Sequence, residues 1–150
     1  MSKKYELTDE TMEWEGHTLH RIKALRYFND VKAGDLGGWV ESEDNLSQYE
    51  KCWFYDNAIV CGNARVCDNA IVCNNAKIYN TKDYCIITGF GSRLSATTFF
   101  RCKDDEIRVN CGCFNGTLDE FRDKVKETHK DNKYAKEYLL AIDMVKVHFS

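Results

Sequence analysis

Residues 56–79 read DNAIVC, GNARVC, DNAIVC and NNAKIY, four consecutive six-residue units that follow one rule. Each unit opens with a polar residue or glycine, continues with Asn and Ala, and closes with a variable residue, Val or Ile, and Cys or Tyr. Two looser units precede them from residue 44, and a degraded unit ends at residue 85. A short fixed period predicts a repetitive, solenoid-like structure.

The six-residue period predicts a mainly β chain with a short parallel β-helix, because extended residues alternate faces and six residues fit a short strand plus a corner. Asn57, Asn63, Asn69 and Asn75 are expected at the corners, where asparagine tolerates a left-handed backbone. A plain β-meander is the alternative, and it gives no reason for an Asn at every sixth residue. The residues expected to face the interior are Val60, Ala64, Val66, Ala70, Val72, Ala76 and Ile78.

The units resemble the hexapeptide repeats of left-handed β-helix proteins, in which three units make one coil. The segment FNDVKAGDLGGWVESEDNLSQ, residues 28–48, resembles the leading segment of bacterial hexapeptide-repeat proteins of the YdcK type, which are described only as transferases. From residue 89, the motifs GSR, CGCFNGTLDEF and YAKEYL are similar to a module of phage and mobile-element proteins. The resemblance implies a left-handed parallel β-helix, here of about two coils.

Three regions are expected along the chain. Residues 1–43 form an N-terminal β cap and leading segment, with a hairpin turn at Glu15 and Gly16. Residues 44–85 form the β-helix. Residues 86–150 form an α+β module with strands near 86–90, 95–102 and 106–110, followed by two helices. Thr117 and Glu120 supply a capping box for the first helix, and the second covers about residues 133–147.

One outer side of the predicted prism carries only apolar or amphipathic residues, Trp53, Tyr55, Ile71 and Cys73. An exposed apolar patch of this kind is expected to be buried against another subunit or another part of the chain. Because hexapeptide-repeat proteins are commonly trimers, the resemblance implies a homotrimer that meets along this side. Packing of the chain's own C-terminal helices against it is the alternative.

A small-ligand site is predicted at Gly91, Ser92 and Arg93, with His129 as a further candidate. Arginine beside a glycine that permits close backbone approach could bind a phosphate or carboxylate, as in a small signalling nucleotide. A hairpin turn followed by a salt-bridged arginine is the alternative. The glycines at positions 34, 37 and 38 suggest a tight turn into the first coil; they lack the remaining features of a phosphate-binding loop.

The chain contains eight cysteines. Cys61, Cys67, Cys73 and Cys85 share one phase of the repeat, which predicts reduced thiols that behave as small apolar side chains. Cys111 and Cys113 could supply two metal ligands, with Cys102 or His129 as further candidates. Structural zinc usually takes four ligands from paired motifs, and only one close pair is visible, so neither a metal nor another cofactor is predicted.

Catalysis is not expected from the sequence. Many hexapeptide-repeat proteins are acyl-CoA transferases in which a histidine acts as general base. Here no histidine falls between residues 44 and 85. A transferase would therefore need His17, His20 or His129 as its base.

A net charge of −3 argues against direct nucleic-acid binding, which needs a concentrated basic surface. The first residues lack the apolar core of a signal peptide, and no apolar run is long enough to cross a membrane, so a cytoplasmic protein is expected. The resemblance to phage modules implies a non-catalytic binding protein that inhibits a host defence protein, such as a CRISPR effector, by protein contact. A sponge for a signalling nucleotide and an acyl-CoA-dependent acyltransferase are the alternatives.

Overall fold

The computed structural model describes residues 3–92, 96–112 and 114–150. The chain divides into two compact units, Met1–Thr81 and Lys82–Ser150. The division into three regions inferred from the sequence stays a prediction.

The first unit begins with an antiparallel hairpin. Strand β1 (Tyr5–Trp14) pairs with β2 (His17–Ala24), and Trp14 lies opposite His17. The two residues between the strands, Glu15 and Gly16, have φ of 46° and 85°. Positive φ at both central residues is the geometry of a tight hairpin turn whose twist matches that of the strands. The predicted hairpin is confirmed.

The remaining strands of this unit are short. Strand β3 (Leu36–Val40) pairs antiparallel with β2, and it is followed by β4 (Trp53–Phe54), β5 (Ile59–Val60), β6 (Ile71–Val72) and β7 (Lys77–Ile78). Five strands form one mixed sheet in the order β1-β2-β3-β5-β7, while β4 and β6 form a separate parallel pair.

The predicted left-handed parallel β-helix of about two coils is wrong. The strands belong to a mixed five-stranded sheet, a two-stranded parallel sheet and, after the repeat, a four-stranded antiparallel sheet. Within the described residues, no sheet closes on itself or continues as a solenoid. The physical reason is that the N-terminal hairpin extends the sheet that holds β5 and β7, whereas each repeat strand is only two residues long.

The six-residue period nevertheless sets local geometry. Trp53 pairs with Ile71 and Ile59 with Lys77, in parallel and 18 residues apart, as the period predicts. The expected corner residues are displaced by one position, because the positive φ falls on the residue before each Asn. These residues are Asp56, Gly62, Asp68 and Asn74, with φ between 56° and 61°. After each of them the amide of the next Ala donates to a carbonyl three residues back, as Ala58 does to Tyr55 at 3.2 Å.

The interior predicted from the repeat is confirmed as buried. Its members have relative exposures of 0 or 1%. They are Val60, Ala64, Val66, Ala70, Val72, Ala76 and Ile78. Alternating alanine with Val or Ile thus buries small and larger apolar side chains in turn along the repeat.

Two glycines of β3 are required by packing. A Cβ on Gly37 would lie 2.7 Å from both the Phe54 carbonyl oxygen and the Trp53 ring, and one on Gly38 would lie 2.6 Å from the Ala58 carbonyl oxygen. Both glycines are buried within a paired strand. Their role is therefore close backbone approach and not the cradling of a phosphate.

The second unit packs an antiparallel sheet against two helices. Strands β8 (Tyr84–Ile87), β9 (Thr97–Arg101), β10 (Ile107–Cys111) and β11 (Phe114–Thr117) are ordered β11-β10-β9-β8. Helix α1 (Leu118–His129) starts at the predicted capping box, and α2 (Lys133–His148) follows. The sequence missed β11, because its Asn-Gly pair looks like a turn, whereas pairing with β10 keeps it extended.

One apolar core joins the sheet and the helices of this unit. Phe121 of α1 packs edge-on against both Phe99 of β9 and Tyr138 of α2. From α2 the core takes Ala135, Tyr138, Ala141, Ile142 and Val145. This burial fixes which side of α2 faces inward and which side is left for other contacts.

Candidate functional site

Three of the four predicted ligand residues lie together in the second unit. The Ser92 hydroxyl is 3.2 Å from His129 Nε2, and the His129 ring stacks on the Tyr138 ring at 5.7 Å. The Gly91 amide donates to a Glu137 carboxylate oxygen at 3.0 Å. Arg93, the fourth residue, lies outside the described residues.

The loop at Gly91 and Ser92 already binds a carboxylate of the protein itself, that of Glu137. Glu137 of α2 occupies the Gly91 amide, and the Ser92 amide donates to the Tyr138 hydroxyl at 3.3 Å. Gly91 has a φ of 72°, and a Cβ there would lie 2.3 Å from the Tyr138 hydroxyl. A phosphate at these amides would have to displace Glu137. The geometry therefore indicates that the loop anchors α2, and it does not favour a nucleotide site here.

The first unit contains a histidine oriented by a carboxylate. His17 Nδ1 lies 2.9 Å from Glu41 Oε2, and the other Glu41 oxygen accepts the Gly62 amide at 2.8 Å. These hydrogen bonds, first that from His17, lower the pKa of Glu41. With Nδ1 donating to Glu41, Nε2 of the partly exposed ring is left to accept a proton. His20, by contrast, has its Nδ1 3.3 Å from the Thr8 carbonyl oxygen.

The first unit also buries a lysine that the sequence did not single out. Lys4 has a relative exposure of 0%, and its Nζ donates to the Cys52 and Tyr49 carbonyl oxygens at 2.7 and 3.3 Å. Nζ also lies 3.3 Å from Cys52 Sγ. Burial lowers the pKa of Lys4 and raises the pKa of Cys52. The hydrogen bonds from Lys4 tie the N-terminal segment to the chain around Cys52, and solvent does not reach the Lys4 and Cys52 side chains.

Among the described residues of the second unit, the three most exposed large apolar side chains lie on one side of α2. Leu140, Met144 and Val147 have exposures of 69, 44 and 74%. Their spacing of four and three residues aligns them on one side of the helix, opposite the buried side. Lys133 and Lys136 extend the same side toward the helix N-terminus. These five residues define the α2 outer face, which is the candidate functional site.

The sequence analysis placed a helix at about residues 133–147 but did not single out this face. The signal was present in the chain: Leu140, Met144 and Val147 form a second stripe at helical spacing beside the first. In this structure the second stripe is not covered by the described residues, and an exposed apolar surface of this kind is a candidate contact site.

The predicted oligomer surface is differently placed. Trp53 and Cys73 are buried, with exposures of 1 and 3%. The Trp53 ring packs edge-on against Tyr5 and Phe28 of the same unit, at 6.2 and 5.2 Å between ring centroids. These two residues therefore offer no open surface to a second copy, while Tyr55 and Ile71 are half-buried. The homotrimer stays a prediction.

The cysteines divide in their exposure. Cys61 is buried, whereas Cys67 is exposed and Cys85 is half-buried. Cys111 is buried and accepts the Thr97 hydroxyl at 3.3 Å. Cys113 lies outside the described residues. Within the part of the chain that the structure describes, no group of three or more His, Cys, Asp or Glu side chains is placed to hold a metal ion.

Taken together, the fold defines a β-rich protein of two compact units, the second of which presents an exposed apolar helix face. Neither helix has the length and apolar character needed to span a membrane, as far as the described residues go.

No family model matches the chain. A curated protein of Escherichia coli (strain K12), the uncharacterized acetyltransferase YdcK, is 51% identical to it over 45 residues. The match covers 29% of this chain and 14% of the E. coli protein. It supports the predicted YdcK-like segment. The resemblance of the tail to phage modules stays a prediction.

Proposed function

We propose that this chain is a non-catalytic protein that works by binding another protein through the α2 outer face. The observation that carries the proposal is the exposure of Leu140, Met144 and Val147 on one side of a helix whose other side is fully packed. Burying such side chains in a contact contributes about 1.5–3 kcal/mol each. The three side chains, with Met144 in the middle, provide the apolar centre of the proposed contact.

We further propose that the bound protein is a host defence component, such as a CRISPR effector, which the chain inhibits by contact. The support for this step is the resemblance of the segment from residue 89 to modules of phage and mobile-element proteins. That segment contains α2, so the resemblance and the exposed face fall on the same part of the chain.

Charge substitution on the α2 outer face is expected to abolish partner capture. The variant Leu140→Asp/Met144→Asp places two carboxylates in the centre of the contact, and we expect its capture of a partner from host lysate to fall by more than about tenfold, a loss of more than about 1.4 kcal/mol. Because both side chains are exposed, the melting temperature should change little. Quantitative pull-down and thermal melting measure the two effects.

Leu36→Asp is the matched control, since Leu36 is 55% exposed and lies in the first unit. It should capture the partner as the unchanged chain does. Equal capture by the Leu140→Asp/Met144→Asp variant would rule out the α2 outer face as the binding site.

A second function, acyl transfer from an acyl-CoA, is favoured by the pairing of His17 with Glu41. Glu41 holds the imidazole while Nε2 accepts the proton of an acceptor hydroxyl or amine. The acceptor then attacks the thioester carbonyl, and the CoA thiol leaves with a proton. The relative from E. coli is named an acetyltransferase, which supports testing this activity.

Release of CoA thiol from acetyl-CoA, measured over a panel of alcohol and amine acceptors, tests the second function. General-base catalysis contributes about 10²–10⁴-fold, so His17→Ala should reduce turnover by at least about 100-fold. His20→Ala is the control and should leave turnover unchanged, because His20 has a backbone carbonyl as its partner. Absence of turnover with every acceptor would end this candidate.

A further inference from the structure

We infer that the partner docks on the α2 outer face with an acidic, amphipathic helical segment. This inference rests on the proposed function, and it names the chemistry of the partner. Three features support it: the positive charge at one end of the α2 outer face, the length of that face, and the like charges that would meet if two copies of the chain paired there.

The N-terminal part of the α2 outer face is basic, and the Lys133 ammonium lies 5.9 Å from the centroid of the Tyr134 ring. Lys133 and Lys136 lie in the first turns of α2, and Lys130 lies three residues before the helix begins, with the exposed Asp131 next to it. The first turn of α2 contains no acidic residue, so these cations add to the positive end of the helix dipole instead of offsetting it. Within residues 3–92, 96–112 and 114–150, none of the three forms an ion pair. Carboxylates on a partner would relieve this repulsion.

The apolar part of the face fits a helix. From Lys133 to Val147 the α2 outer face runs about 21 Å at a rise of about 1.5 Å per residue. A partner helix of about four turns covers this length. Its apolar residues at helical spacing would meet Leu140, Met144 and Val147, and acidic residues at one end would meet Lys133 and Lys136.

Charge disfavours a second copy of this chain as the occupant. If two α2 helices packed antiparallel about Leu140, Asp143 of each would lie opposite Glu137 of the other, which sets like charges together. A parallel arrangement would place Lys133 against Lys133.

A membrane surface fits less well than a protein. Asp143 and Glu137 flank the apolar stripe, and Asp143 is exposed. Carboxylates beside the apolar residues oppose adsorption to anionic lipid, where a surface helix is usually flanked by cations. Glu137 is further fixed in place by its hydrogen bond from the Gly91 amide.

Two synthetic helical peptides test the inference with the full chain. Both are about 18 residues long and carry the same leucine stripe, and they differ only in whether the residues at the end that meets Lys133 and Lys136 are Glu or Lys. Fluorescence anisotropy should show the acidic peptide binding at least about tenfold more tightly than the basic one. Leu140→Asp/Met144→Asp should abolish binding of the acidic peptide, whereas Lys133→Glu/Lys136→Glu should reverse the preference between the two peptides.

Equal or tighter binding of the basic peptide would overturn the inference. Binding to phosphatidylserine vesicles in place of peptide, if it depends on Leu140, would also overturn it. So would concentration-dependent self-association that Leu140→Asp abolishes. If neither peptide binds while lysate capture still depends on Leu140 and Met144, the acidic helix is the wrong partner class and the proposed function stands. If lysate capture is also independent of these residues, both proposals fall.

Discussion

Replacing Gly38 with alanine is expected to lower the free energy of unfolding of the first unit by about 3 kcal/mol, the upper end of the usual cost of overpacking. The added Cβ would lie 2.6 Å from the Ala58 carbonyl oxygen and 3.1 Å from the Phe54 Cβ. The Ala58 carbonyl accepts the Trp39 amide at 2.8 Å, so moving it away weakens the pairing of β3 with β5. Urea titration followed by tryptophan fluorescence measures the loss.

Gly34→Ala provides the control for backbone strain. A Cβ on Gly34 meets nothing within 4 Å, but its φ of 95° disfavours any residue other than glycine. We expect a cost of about 1 kcal/mol there. Equal losses for the two variants would mean that crowding at Gly38 is relieved by small backbone shifts, and the packing argument for β3 would fail.

Replacing Lys4 with alanine is also expected to destabilise the first unit by about 3 kcal/mol. The substitution leaves a cavity where a fully buried side chain lay, and it removes the donor that serves the Cys52 and Tyr49 carbonyl oxygens. A buried carbonyl without a donor is costly because it loses its water and gains nothing in return. Thermal and urea unfolding measure the change.

Lys3→Ala is the matched control, one residue away. The Lys3 side chain is 60% exposed and pairs with Glu43 at 3.0 Å, and an exposed ion pair of this kind contributes about 0.2–1 kcal/mol. High salt should remove most of the Lys3 effect and little of the Lys4 effect. A Lys4→Ala loss as small as that of Lys3→Ala would show that the buried ammonium contributes no net stability.

Local features of the fold could be predicted because neighbouring residues fix them. The turn at Glu15 and Gly16 and the capping box of Thr117 with Glu120 each depend on a few adjacent residues, and both are confirmed. The corner residue of the repeat was displaced by one position, from Asn57 to Asp56 and likewise in the other units. Asp, Asn and Gly all tolerate positive φ, so composition alone did not decide which position carries it.

The candidate site was harder to predict. Ser92 and His129 were grouped correctly, but the partner of the Gly91 amide, Glu137, lies 46 residues away in the chain and gave no local signal. The α2 outer face escaped notice because exposure depends on which side of the helix the sheet covers. Leu140 and Ile142 look equally apolar in the sequence, and packing exposes one and buries the other.

The sequence by itself determined the buried interior of the repeat, the hairpin and the two helices, because each follows from side-chain periodicity or from turn and cap chemistry. Only the tertiary structure decided how the strands are shared among three sheets, that Tyr5 and Phe28 pack against Trp53, and which side of α2 stays exposed. Those outcomes depend on contacts between residues far apart in the chain. The free energy of burying a side chain there depends on which distant residues pack against it, and the local sequence pattern does not specify them.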